Sequence, residues 1–242
     1  MDRDPPQFQQ PARYTYRYRW RLLRWVLGEH AYVRELFVDA FPRAVQRDLE
    51  VDERIVEIPF VLQSLPPSPA RRILDVGSRW SALPLYLSSL GHRVVATDLV
   101  PLRIQGSGPE MCLADCRRPP FRPETFDAIV LVSTLEHIGL GWYDEIHDSD
   151  DDLAVMRELR TLTRPGGILL LTVPFGKPGV GRRQRSYDGA RLRRVTEGWT
   201  WDESRFHVRR GSAWPEASES EASREESVDE TRGVALLCLR RP

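Results

Sequence analysis

Short apolar runs separated by polar, turn-forming stretches fill the middle of this chain, and their spacing predicts alternating strands and helices. Five runs are too short for helices and rich in branched residues: Arg72–Val76, Arg93–Thr97, Met111–Ala114, Phe126–Val132 and Ile168–Val173. Helical spacing falls at Ala82–Leu90 and Asp151–Leu162. Pro84 is tolerable only in the opening turn of the first of these. In the second, the opening aspartates, with Arg160 and Arg164 at the far end, suit the helix dipole. This alternation predicts an α/β fold with a doubly wound, mostly parallel sheet. The crossovers Leu99–Pro109 and Asp115–Thr125 are short for helical connections, so loops are expected in both.

Outside this core the pattern changes. After the fifth run come a Gly- and Arg-containing loop, Gly176–Arg185, and a helix near Asp188–Glu197. Two further strands are expected at Arg205–Arg209 and Val234–Leu239, forming an antiparallel C-terminal edge. The acidic, serine-rich stretch Glu216–Asp229 between them reads as an exposed, mobile hairpin loop. Residues 1–12 read as a disordered lead and 13–69 as an N-terminal helical extension, leaving 70–242 as the main domain. Prolines at 42, 59, 66, 67 and 69 cut the extension into short helices. Tyr14, Tyr16, Tyr18, Trp20 and Trp25 alternate there with arginines, which suits a helix packing its aromatic side inward.

Composition narrows the function classes. A formal net charge of zero argues against a protein built mainly to bind nucleic acid. Lys177 is the one lysine, so the positive charge is almost all arginine. Cys112, Cys116 and Cys238 give no disulfide framework and no complete zinc pattern, so no metal is expected. No apolar run reaches membrane-spanning length, and a cytoplasmic protein is expected.

The candidate chemistry begins at Ile73-Leu74-Asp75-Val76-Gly77-Ser78-Arg79, where a strand meets a turn that needs Gly77. Asp98 then closes the next strand. Strand, turn, helix, strand and acidic residue are the plan for holding a nucleoside at the carboxyl edge of a parallel sheet. The glycine pattern that cradles a pyrophosphate is absent, which favours a nucleoside cofactor without one and disfavours nicotinamide dinucleotides. Glu136 and His137 follow the fourth strand directly, and His137 is the candidate general base. Tyr143, Asp144 and His147 are weaker candidates in the next loop. The run Asp148–Asp152 lacks the glycine and distal glutamate of a calcium loop and reads as a helix cap. Lys177, Arg182, Arg183 and Arg185 make the loop after the fifth strand basic, which suits an anionic substrate and equally a solvated charged loop.

Taken in order, ILDVGS (73–78), VVATDL (94–99), LADCRRPPF (113–121), FDAIVLVSTLEHI (126–138) and LRTLTRPGGILLLTVPFG (159–176) resemble the class I S-adenosylmethionine-dependent methyltransferases of small molecules. The resemblance implies a Rossmann-like fold, S-adenosylmethionine as cofactor and a small-molecule acceptor such as a sugar- or lipid-linked biosynthetic intermediate. It assigns Asp75, Gly77 and Ser78 to the loop under the methionine part and Asp98 to the ribose. Asp115 and the Cys116 backbone fall at the adenine, and Ser133 with Thr134 where the methyl group points. Arg79 and Ser81 stand where the family commonly has glycines. Arg79 either binds the methionine carboxylate or narrows the pocket. The second case defines the rival reading, a non-catalytic cofactor-binding or scaffold protein.

Overall fold

The computed structural model describes residues 51–79, 81–101, 108–140, 150–181 and 184–242. The expectations for residues 1–50, for Tyr143, Asp144 and His147, and for Arg182 and Arg183 lie outside the described residues.

Among the described residues ten strands occur: β1 (Arg72–Val76), β2 (Arg93–Asp98), β3 (Glu110–Leu113), β4 (Phe126–Val132), β5 (Thr163–Pro174), β6 (Gly179–Val180), β7 (Arg185–Ser186), β8 (Thr200–Val208), β9 (Glu216–Ala217) and β10 (Gly233–Arg240). β6 and β7 pair with each other, and the other eight form one sheet in the order β3-β2-β1-β4-β5-β10-β8-β9. Strands β1, β2, β3, β4 and β5 run parallel. β8 and β10 pair antiparallel, and β10 pairs antiparallel with β5 as well. The doubly wound, mostly parallel sheet with an antiparallel C-terminal edge therefore matches the expectation. β4 and β5 from residue 167 onward are almost wholly buried because both faces of the sheet are covered, which is why they read as apolar runs.

Two cores lie against this sheet. One gathers Met156, Leu159 and Leu162 of α3 (Asp151–Leu162) and Leu192 and Val195 of α4 (Gly189–Val195) against β4, β5 and β10. The other gathers Leu83 and Leu87 of α2 (Leu83–Ser89) and Phe60 and Val61 of α1 (Arg54–Ser64). Glu57, Phe60 and Val61 are the buried residues of α1, and their three- and four-residue spacing puts them on one helical face. Helix geometry thus carries a carboxylate inward along with the aromatic ring. No described helix is long and apolar enough to cross a membrane.

The stretch Glu216–Asp229 is folded rather than a mobile loop. Glu216–Ala217 pairs with β8 as a short strand, β9. A helical turn, α5 (Glu219–Ala222), follows it, closed by a capping box between Ser218 and Glu221. Ser227 is buried; its hydroxyl donates to Phe175 O at 3.0 Å and accepts from Gly233 N at 2.9 Å. Serine-rich composition concealed these bonds.

The aspartate run before α3 also departs from simple capping. Asp150 makes no side-chain cap bond and instead pairs with Arg191 and Arg194. Asp152 is fully buried, 3.0 Å from Arg185, 2.7 Å from Arg191 and 3.0 Å from the donating Tyr187 hydroxyl. Arg185 is itself 2% exposed. This knot ties the segment after β5 to α3, behind the cleft. Asp152→Ala is expected to remove the buried carboxylate on which Arg185, Arg191 and Tyr187 converge and cost about 3–5 kcal/mol of stability. Chemical denaturation checks this, and a midpoint within error of wild type contradicts it.

Candidate functional site

Strand order reverses between β1 and β4, so the loops leaving their carboxyl ends part and leave a cleft there. The cleft measures about 230 Å³ and includes Arg54, Gly77, Arg79, Thr97, Asp98 and Asp115 in its walls. Cys116, Arg117, Ser133, Thr134 and His137 complete its polar and sulfur-bearing lining. Eight of the residues singled out from sequence therefore meet in one place: Gly77, Arg79, Asp98, Asp115, Cys116, Ser133, Thr134 and His137. Asp75 and Ser78 sit behind the wall, buried at the end of β1.

Gly77 shapes this edge. Its φ of +78° strains any other residue, and a Cβ there would lie 2.3 Å from Thr134 Oγ1. Gly77 N and Ser78 N both donate to Thr97 O, at 2.8 and 3.2 Å, folding the turn onto the end of β2. The Ser78 hydroxyl donates to the same carbonyl at 3.3 Å, so this side chain shapes the loop from within.

Asp98 is held from two sides. Oδ2 accepts from Arg79 N and Oδ1 from Val100 N, both at 3.0 Å. Each oxygen has a second acceptor site, so the carboxylate is fixed without being used up. Asp115 is more heavily engaged. Arg117 closes on it through Nε at 3.0–3.1 Å and a terminal nitrogen at 2.7 Å, then reaches Asp151 at 3.1 Å. Burial raises the Asp115 pKa, but the Arg117 bonds outweigh it and hold the carboxyl below its usual range. Cys116 is the opposite case, its thiol pushed up to about 12 by burial. The three cysteines are free, and no metal-binding group of side chains occurs among the described residues.

Ser133 sits at φ +42°, a rare conformation for a residue with a side chain. Its amide donates to Thr172 Oγ1 at 3.1 Å, and its hydroxyl donates to Glu57 Oε1 at 2.7 Å. Glu57 comes from α1, 76 residues away in sequence. His137 lines the cleft with its Nε2 3.7 Å from Glu136 Oε1.

Behind this wall, acidic groups outnumber basic ones. Glu57, Asp75 and Glu136 are each at most 3% exposed, and each has one carboxylate oxygen without a hydrogen bond. Arg54 lies 3.4 Å from Glu57 Oε2, an ion pair without hydrogen-bond alignment. The same guanidinium lowers the pKa of all three. Burial still dominates, raising Asp75 to about 7, Glu136 to about 8 and Glu57 above its usual range. Glu53, at the N-cap of α1, is raised to about 7 by burial and by the Glu57 charge. Sequence reasoning missed Arg54, Glu57 and Arg117. For Glu57 a signal existed, because it precedes the buried Phe60 by three residues on an amphipathic helix.

Comparison with known proteins agrees with this architecture. A family model described as "Caenorhabditis protein of unknown function, DUF268" matches residues 121–234. A ubiquinone biosynthesis O-methyltransferase of Xanthomonas campestris pv. campestris is 30% identical over 114 residues, spanning 43% of this chain and 43% of that protein. The chain thus matches less than half the length of that relative. The solved Burkholderia thailandensis 1,6-didemethyltoxoflavin-N1-methyltransferase, with its substrate and S-adenosylhomocysteine bound, superposes with a TM-score of 0.53 at 17% identity. That match covers 88% of this chain and 89% of the other. The [4+2]-cyclase SpnF superposes at 0.57 and 14% identity, covering 87% and 95%. A Methanosarcina mazei S-adenosylmethionine-dependent methyltransferase gives 0.53 at 13%, covering 80% and 99%. The chain has the class I S-adenosylmethionine-dependent methyltransferase fold.

The buried carboxyls set a pH dependence. An acid whose pKa is higher when folded contributes stability that is complete below its unfolded pKa and is lost as pH rises through the folded value. For Glu53, Asp75 and Glu136 the unfolded values are about 4–4.5 and the folded ones about 7, 7 and 8. The melting temperature is therefore expected to fall between about pH 5 and about pH 8. Glu136→Gln, which mimics the neutral acid, is expected to flatten that slope. A wild-type melting temperature that rises across this range contradicts the assignment.

Proposed function

We propose that this protein binds S-adenosylmethionine in the cleft and transfers its methyl group to a small-molecule acceptor. The observation that carries the reading is Asp98, at the cleft end of β2, held by the Arg79 and Val100 amides with a second acceptor site on each oxygen. The surrounding groups suit the cofactor. A nucleoside needs an acceptor for its ribose hydroxyls, and Asp98 supplies one. A methionine moiety brings an ammonium group, and the buried Asp75 behind the Gly77 turn has an oxygen without a partner. When bound, the cofactor supplies a sulfonium methyl: the acceptor's lone pair forms the bond to carbon as the carbon–sulfur bond breaks and sulfur keeps that pair.

The chain's own residues then have distinct tasks. Gly77 and Ser78 shape the loop beneath the methionine part, and Arg79 pairs with its carboxylate. Asp98 holds the ribose, Asp115 and the Cys116 backbone border the adenine, and Ser133 fixes the transfer end. His137 takes the acceptor's proton, with Glu136 holding the imidazole. Orientation in such a site is worth roughly 7–11 kcal/mol of barrier, and a base about 10²–10⁴-fold, so alignment matters more here than the base.

A non-catalytic cofactor-binding or scaffold role is the second reading. It is favoured by the Arg117 clamp on Asp115, which occupies the carboxylate assigned to the adenine. The cyclase with the same fold is a reminder that fold does not fix chemistry.

Calorimetry and thermal shift test the cofactor assignment. S-adenosylhomocysteine is expected to bind and raise the melting temperature, whereas nicotinamide dinucleotides do neither; no heat and no shift at millimolar ligand contradicts it. Asp98→Ala is expected to weaken binding by about 1.5–3 kcal/mol, the scale of charged hydrogen bonds, while leaving the protein folded.

Arg79 is tested with a second ligand. Arg79→Ala is expected to weaken S-adenosylhomocysteine but hardly change methylthioadenosine, which lacks the carboxylate. Equal weakening of both removes Arg79 from that role.

A further inference from the structure

The three hydroxyls that line the cleft all direct their protons inward. Thr97 Oγ1 donates to Ala114 O at 3.5 Å, Thr134 Oγ1 to Val132 O at 3.0 Å and Ser133 Oγ to Glu57 Oε1 at 2.7 Å. A hydroxyl has one proton and two lone pairs, so each of these side chains offers a ligand only acceptor sites. Ser133 and Thr134 stand together at the carboxyl end of β4, which the cofactor reading makes the transfer end. Directly behind them lie the buried carboxyls of Glu57 from α1 and Glu136 from the turn after β4, each with an oxygen that lacks a hydrogen bond. Asp75 adds a third such oxygen from β1. Arg54 is the cation common to all three.

Of the arginines in the cleft wall, Arg117 is bonded to Asp115 and Asp151, Arg79 is assigned to the cofactor's carboxylate, and Arg54 faces the three buried acids. Of the basic loop after β5, Lys177 pairs with Glu226 at 2.6 Å and Arg185 is buried against Asp152. An anionic acceptor would therefore meet lone pairs backed by buried acids at the transfer end. A ligand that brings hydrogen-bond donors and positive charge would meet complementary groups.

We propose that the methyl acceptor is an amine that binds as its ammonium ion, donating to Ser133 Oγ and Thr134 Oγ1 with Glu57 and Glu136 balancing its charge. This assignment rests on the methyltransferase reading above. An ammonium nitrogen has no lone pair, so one proton must leave before it can react. His137 at the same wall accepts that proton on its imidazole and returns it to solvent, leaving a neutral amine with its lone pair facing the cleft.

The test uses three probes of one shape and different charge: benzylammonium, benzyl alcohol and benzoate. Each is titrated by ligand-observed NMR into the full-length protein saturated with S-adenosylhomocysteine, at mildly alkaline pH. Benzylammonium is expected to bind more tightly than the other two by on the order of tenfold, the scale of one close charge contact. Glu57→Gln and Glu136→Gln are each expected to shrink that preference without abolishing S-adenosylhomocysteine binding. Benzoate or benzyl alcohol binding as well as benzylammonium, or no binding of benzylammonium, overturns the proposal in the wild-type protein alone. Displacement of S-adenosylhomocysteine by benzylammonium also overturns it, because the carboxyls would then serve the cofactor's own ammonium. Failure of S-adenosylhomocysteine to bind at all is a separate result, and it overturns the underlying cofactor reading together with this one.

Discussion

Where β1 and β4 end, Gly77 lies so close to Thr134 that even a methyl group has no room between them. That contact keeps the two loops rooted together while the strand order reverses above them, and the cleft opens as they diverge. Everything assigned to the site hangs from this junction. The Gly77 turn folds onto Thr97, which leads into Asp98, and the Arg79 amide reaches back to fix that carboxylate. Thr134 is the neighbour of Ser133, whose unusual backbone turns its hydroxyl toward Glu57. A displacement at the Gly77–Thr134 contact would therefore reach both ends of the cleft.

The second constraint is electrostatic. Three carboxyls are buried behind the wall with Arg54 as the cation they share, and burial holds two of them near neutrality in their titration. Buried acids of this kind lower stability as they ionise, and a core built for stability alone would use apolar groups instead. Among the described residues, the buried carboxyls with an unsatisfied oxygen gather at the edge where a cationic cofactor and its acceptor would meet. The Asp152 knot behaves differently. There two arginines and a tyrosine hydroxyl surround one carboxylate, and the result is a brace between α3 and the segment after β5.

Much of this fold was legible in the sequence because burial on both sheet faces leaves an unmistakable apolar signature. Arg72–Val76, Phe126–Val132 and Asp151–Leu162 fall where the pattern put them. β5 starts earlier than the apolar run suggests, at Thr163, because Thr163 still pairs with Phe126 before a register irregularity that leaves residues 164–167 out of the pairing with β4. The site was legible for residues next to strand ends, such as Gly77, Asp98 and Ser133, since strand ends must converge on the cleft edge. It was not legible where a partner comes from far along the chain. Nothing near Ser133 points to Glu57, 76 residues away in sequence. The serine-rich stretch 216–229 shows the same limit, because its order depends on Ser227 meeting Phe175 and Gly233.

The central claim is that one cleft holds the cofactor in one direction, ribose at Asp98 and sulfur toward Ser133. A crystal structure of the protein with S-adenosylhomocysteine tests it most directly. The account predicts both ribose hydroxyls within hydrogen-bonding distance of Asp98 and the sulfur facing Ser133 and Thr134, with the adenine between Leu99 and Cys116. A ligand bound in the reverse direction, one bound outside the cleft, or a cleft still empty at saturating ligand would contradict it.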